Sequence, residues 1–141
     1  MTNRFHKVLG AVSLMAVLAV LAIPADAAQI ECKVPFAFTV NGKALPAGTY
    51  TVSTDGALGS LLVRGYGNGA FAFTNRVESR TDVAPKLVFH KYGDQYILRQ
   101  AWLGGGSGRE FPESPQEREL AQAARSEKAS ARLDRVVVPV E

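Results

Sequence analysis

Residues 86–102 read Lys86-Leu87-Val88-Phe89-His90-Lys91-Tyr92-Gly93-Asp94-Gln95-Tyr96-Ile97-Leu98-Arg99-Gln100-Ala101-Trp102. Two runs rich in apolar and aromatic residues flank Tyr92-Gly93-Asp94. The stretch therefore predicts a β-hairpin, with Lys86–His90 and Gln95–Trp102 as its strands. A two-residue turn, whether Tyr92-Gly93 or Gly93-Asp94, sets Leu87 and Phe89 on one face with Tyr96, Leu98 and Trp102. Val88 and His90 then share the other face with Ile97 and Arg99. The first face is the more apolar and is the predicted core face; an odd-length loop would break this assignment.

Similar signals extend towards the N-terminus. Val34, Phe36, Phe38 and Val40 alternate with Pro35, Ala37 and Thr39, the period of a strand with one buried face. Pro35 lacks the N–H that a central strand would need, so this is an edge strand or the start of one. Asn41-Gly42 is a strong turn signal, Leu45-Pro46-Ala47-Gly48 is a second turn, and Thr49–Ser53 resumes an extended pattern. Ser60–Arg64 and Ala70–Thr74 follow, separated by a Gly-rich turn. In the latter, Phe71 and Phe73 alternate with Ala70 and Ala72, so the two rings turn together, either inward or towards a partner. Short strands at such spacing predict a mainly β, single-domain antiparallel β-sandwich or partly closed barrel over residues 28–103.

Composition changes beyond that point. Residues 104–113 begin with three glycines and read as a flexible loop. Ser114-Pro115-Gln116-Glu117 has a Ser at the cap, Pro at the first helical position and Glu three residues after the cap, the signature of a capping box. A helix is predicted over 114–134, with a thin apolar stripe of Leu120, Ala124 and Ala131. Such a stripe gains little by packing, so the helix is expected to lie loosely on the β-domain or project from it. Val136-Val137-Val138-Pro139-Val140 predicts a terminal strand over 135–141, blunted by Pro139 and flanking charges.

The first 27 residues have a different character. Arg4 and Lys7 precede an uncharged apolar run, Val8 to Ile23, and Pro24-Ala25-Asp26-Ala27 supplies a breaker and an A-x-A site. This is the layout of a secretory signal peptide with cleavage after Ala27. The run is shorter than the roughly 20 residues of a spanning helix. Glu31 before Cys32 argues against a lipoprotein anchor. The expectation is export to the periplasm or outside the cell, with no transmembrane segment after cleavage. Removing Arg4, Lys7 and Asp26 takes the net charge from +3 to +2 and leaves 114 residues, the size of one ordinary domain. No Lys/Arg block forms a footprint for nucleic acid. Cys32 is the one cysteine, so no intrachain disulfide forms; its place near the new N-terminus suggests partial exposure, and an inert or partly buried thiol is favoured over an intermolecular bridge.

At Val34-Pro35-Phe36-Ala37-Phe38-Thr39-Val40-Asn41-Gly42-Lys43, then Leu45-Pro46-Ala47-Gly48-Thr49-Tyr50-Thr51-Val52, the chain resembles a family of small secreted bacterial envelope proteins of uncharacterised activity. The likeness continues at Lys86–Tyr96, Gly108–Ser114 and Glu117–Ala121, and so spans most of the chain beyond the leader. The resemblance implies export and an envelope location. It implies no activity.

The residues themselves offer little chemistry. His90 is the one histidine outside the leader, which excludes a multi-histidine zinc site. No G-x-S-x-G elbow and no D-x-D-x-D-G calcium loop are present. Gly104-Gly105-Gly106-Ser107-Gly108 lacks the Lys-Ser/Thr pair of a phosphate loop. No catalytic residue, cofactor or metal is therefore expected. Glu113, Glu117 and Glu119 read as helix-start acids that suit the macrodipole. The expected function is a non-catalytic binding or envelope-associated module, with an envelope protein or a second copy as partner. Candidate contacts are Phe71, Phe73, His90, Tyr92, Asp94, Arg99 and Trp102. One alternative is a carrier of small apolar ligands with a pocket between Phe89, Leu98 and Trp102. Another is an enzyme using His90, paired with Asp94, and Arg99 at the hairpin tip.

Overall fold

A computed structural model describes residues 28–55, 58–126 and 134–140. The predicted signal peptide at 1–27 and residues 127–133 of the predicted helix lie outside the described residues. In chain order the strands are β1 (Gln29–Val34), β2 (Phe38–Val40), β3 (Lys43–Leu45), β4 (Gly48–Asp55), β5 (Ser60–Arg64), β6 (Gly69–Phe73), β7 (Asn75–Glu78), β8 (Lys86–Tyr92), β9 (Gln95–Trp102) and β10 (Ser107–Glu110). Helix α1 (Pro115–Ser126) and strand β11 (Asp134–Pro139) complete the chain. One sheet has the order β1-β4-β5-β6, and the other β11-β8-β9-β10-β7, with β2 beside β9 and β3 beside β2. All pairs are antiparallel except β2–β9, and the sheets do not close into a barrel. The mainly β fold is thus a sandwich with a C-terminal helix and a terminal strand.

Alternation fills the space between the sheets. From the first sheet come Cys32, Val34, Tyr50, Val52, Leu61, Val63 and Ala72; the second contributes Leu87, Phe89, Leu98, Ala101 and Val138, all buried. Aromatic contacts knit the centre. Phe36 stacks on Tyr96 with centroids 3.9 Å apart, and Phe38 stands edge-on to Tyr50 and Phe89.

The predicted strand from Val34 to Val40 is two strands. Pro35 interrupts the ladder, and the chain passes there from the first sheet (β1) to the second (β2). The inward set Val34, Phe36, Phe38 survives because both halves face the same interior. Asn41 and Gly42 both take positive φ, 48° and 82°, and close the β2–β3 hairpin as predicted. The predicted loop at 104–113 contains β10, which pairs with both β9 and β7. The described part of the helix ends at Ser126, and residue 134 already belongs to β11.

The central hairpin departs from the predicted faces in one respect. Its turn is Gly93-Asp94, because Tyr92 pairs with Gln95. Phe89 then pairs with Leu98 but Val88 with Gln100, so β9 carries an extra residue, Arg99, at a bulge. Beyond the bulge the side-chain parity of β9 reverses. Ala101 takes the core position opposite Leu87, and Trp102 moves to the outer face. There Trp102 lies over Gly108, where an added Cβ would stand 2.8 Å from the indole ring. Only a residue without a side chain permits that approach.

Candidate functional site

Two surfaces gather the residues that sequence reasoning singled out. The first is the outer face of β8–β9, covered by α1. Ser114 caps the helix: its Oγ accepts the Glu117 N–H at 3.2 Å, one half of the predicted capping box. The other half is not made. Instead of reaching back to the cap, the Glu117 side chain turns into the sheet, where it is 2% exposed. Its Oε1 accepts from His90 Nδ1 and from the Tyr92 hydroxyl, each at 3.1 Å, and its Oε2 accepts from Arg99 Nη1 at 3.0 Å. Arg99 also approaches Glu110 at 3.8 Å.

The carboxylate of Glu117 accepts all three bonds, so Nδ1 of His90 carries the hydrogen. Burial by itself would raise the Glu117 carboxyl. The hydrogen bond from His90, the positive charge of Arg99 and the hydrogen bond from Tyr92 outweigh it and hold the group below its ordinary range. The Tyr92 hydroxyl is pushed up to about 12, first by burial and then by the negative charge it donates to.

The helix packs lightly along its apolar stripe, as expected, but its first turn is pinned. Leu120, Ala121 and Ala124 are only half-buried, and Glu117 is the one buried residue of α1. A 12-residue helix with so thin an apolar stripe is marginal alone. Charge-assisted hydrogen bonds at its first turn hold it down instead. Sequence reasoning placed His90 with Arg99 correctly but missed Glu117. The available signal was the outward set His90, Tyr92 and Arg99, all donors with no acid among them on the hairpin face.

Asp94 stays out of the cluster. It is exposed in the β8–β9 turn, and the His90–Asp94 pair of the enzyme alternative does not form, because the turn directs Asp94 to solvent while His90 faces the helix. Nor do Phe89, Leu98 and Trp102 line a common pocket. The first two are buried between the sheets, whereas Trp102 sits on the outer face with its Nε1–H donating to Gln100 at 3.2 Å. Cys32 is 2% exposed rather than partly open, with its thiol directed at the Pro139 carbonyl, 3.8 Å away.

In chemical terms the cluster orients one imidazole against a buried carboxylate. A hydrolytic arrangement of that kind requires a nucleophile at the other ring nitrogen. Among the described residues, no Ser, Thr or Cys side chain hydrogen-bonds to His90 Nε2, and no group of three His, Cys, Asp or Glu side chains is placed to hold a metal.

The second surface is the edge of the first sheet. Ala70 and Ala72 of β6 point inward and are buried, so Phe71 and Phe73 point outward, 52% and 66% exposed. Their rings meet edge-to-face with centroids 5.4 Å apart. Leu58 and Tyr66, in the turns at either end of β5, are exposed as well. Elsewhere the outer side of this sheet is polar, carrying Glu31, Lys33, Thr49 and Thr51. Comparison with protein-family models, curated proteins and solved structures found no match for the chain.

Proposed function

We propose that the chain is an exported, non-catalytic binding module of the bacterial envelope that engages its partner through β6. The observation that carries this reading is the pair of exposed rings, Phe71 and Phe73, side by side on a sheet edge. Contiguous apolar surface at an edge strand marks an interaction site. Support comes also from the polar cluster, whose four side chains are engaged in docking α1, and from the leader-like sequence at 1–27. The resemblance to small secreted envelope proteins points the same way.

Site-specific photo-crosslinking in intact cells tests the proposal. A benzophenone side chain at position 73 is expected to yield a discrete adduct, whereas the same group at position 31, on the polar side of the sheet, yields none. Equal labelling at both positions would remove the binding surface. Export has its own test: protein recovered from the envelope fraction should begin at Ala28, and an intact Met1 terminus in the cytosol would contradict it.

A further inference from the structure

We infer that β6 pairs with β6 of a second copy in antiparallel register, Phe71 opposite Phe71 and Gly69 opposite Phe73, joining two four-stranded sheets into one. This rests on the reading of β6 as the binding edge and names its occupant.

Three observations define the register. The Gly65 N–H donates to Asn68 C=O at 2.9 Å, and the Thr74 N–H donates to Gly59 C=O at 2.8 Å. These bonds fix both ends of the β5–β6 ladder. Because bonded and non-bonded pairs alternate in an antiparallel ladder, Val63–Ala70 and Leu61–Ala72 are the bonded pairs between them. Gly69, Phe71 and Phe73 consequently direct their N–H and C=O groups away from β5, to the open edge. These are the groups that a second β6 satisfies in the stated register, reciprocally about a two-fold axis at Phe71.

The β6 edge also lacks most of the usual defences, although β2 of the other sheet approaches it. Natural sheets blunt their edges with charges, proline or a covering element. β11 carries Asp134, Arg135 and Pro139 and abuts β1, while β7 carries Arg76 and Glu78. β6 reads Gly-Ala-Phe-Ala-Phe, with no charge and no proline, and no strand pairs with its outer side among the described residues.

Side chains and charge agree with the register. Phe73 of one copy lies across from Gly69 of the other, which has no side chain to obstruct the ring; aromatic residues stabilise glycines across a strand pair in this way. Arg64, beside Gly69 on the outer face, then meets that ring as a cation over an aromatic. No like charges face each other across the axis. The exposed parts of the four phenylalanines amount to roughly 500 Å². Even with the strand backbones added, the buried area stays near or below the ~1,200 Å² lower limit of standard interfaces, so the dimer is a weak one that forms in the micromolar range.

The test uses protein expressed from the full coding sequence and purified as the host leaves it. Sedimentation velocity from low to high micromolar concentration is expected to show a monomer–dimer equilibrium. Phe71→Lys should weaken it at least tenfold while the far-ultraviolet spectrum stays unchanged. A Phe71→Cys variant places two thiols about 5.5 Å apart between Cα atoms, within disulfide range, and should oxidise to a covalent dimer. A Phe73→Cys variant places them roughly 13 Å apart and should not. A monomer at every concentration, or equal crosslinking of the two cysteine variants, overturns the proposal. If the chain is monomeric and the position-73 photoprobe still captures another envelope protein, the pairing fails while the binding module stands.

Discussion

The outer faces of the two sheets are finished in opposite ways. On the β8–β9 face, outward Val88 and Ile97 are buried beside a polar group, and α1 sits over the surface: a buried glutamate joins His90, Tyr92 and Arg99. On the β5–β6 face, Phe71 and Phe73 stand beside Leu62 and Arg64, and nothing among the described residues covers the two rings. The two differ in hydrogen-bonding demand. Three donors on one face require an acceptor that the hairpin cannot supply, and α1 brings it. Two phenyl rings at an edge impose no such demand within the chain, and remain available to something outside it.

The sharpest way to break this contrast is Glu117→Ala. It leaves a buried guanidinium, an imidazole and a hydroxyl without their shared acceptor, a loss of about 3–5 kcal/mol for a pair of this kind. α1 should lose its amide-exchange protection before any strand does, while Glu117→Gln retains part of it. If helix protection survives the alanine substitution, the glutamate is not what holds α1.

Acid should act through the same group. Because the Glu117 carboxyl is held below its ordinary range in the folded chain, its contribution is complete above that range. It is lost as pH falls towards the lowered value. Tyr92 behaves in the opposite sense: raised to about 12 in the fold, it contributes fully below pH ~10, the ordinary tyrosine value, and its contribution disappears as pH rises through 12. Urea midpoints measured from pH 3 to 7 should fall more steeply in acid for the parent chain than for Glu117→Gln. Parallel curves would rule out Glu117 as the titrating group.

A smaller effect is expected at Gly108→Ala. The new methyl group meets the Trp102 ring at 2.8 Å, and overpacking of this kind costs about 1–3 kcal/mol. Trp102 fluorescence should shift with it. An unchanged spectrum and stability would mean that the indole has room to move aside.

The smallest effect on stability should come from the open face. Phe71→Ser and Phe73→Ser should each change the unfolding free energy by no more than about 0.5 kcal/mol, as surface substitutions do, even where they abolish association. A larger loss in thermal or urea unfolding would make the rings part of the fold rather than of an interface.

How far the sequence could be read follows the same physical lines. The hairpin and the Asn41-Gly42 turn were legible because period-two alternation and positive-φ residues are local signals. The direction of Phe71 and Phe73 was legible only as a choice of two, since alternation with alanine says that one set faces inward but not which. The position of Trp102 was not legible: the bulge at Arg99 reverses parity partway along a strand, and no turn residue announces it. Glu117 was legible as a capping acid and misread for that reason. A capping box satisfies a helix end locally, whereas here three donors some 18 to 27 residues away compete for the same carboxylate and win it.

Cys32 gives the seam between β1 and β11 a built-in timer. Its thiol is enclosed beside Pro139, and burial pushes its pKa up, so a reagent in solution finds little thiolate to attack. Alkylation must therefore wait for the C-terminal strand to peel away. The labelling rate, followed by mass spectrometry over hours, would count those openings one molecule at a time, without disturbing either the helix or the aromatic edge.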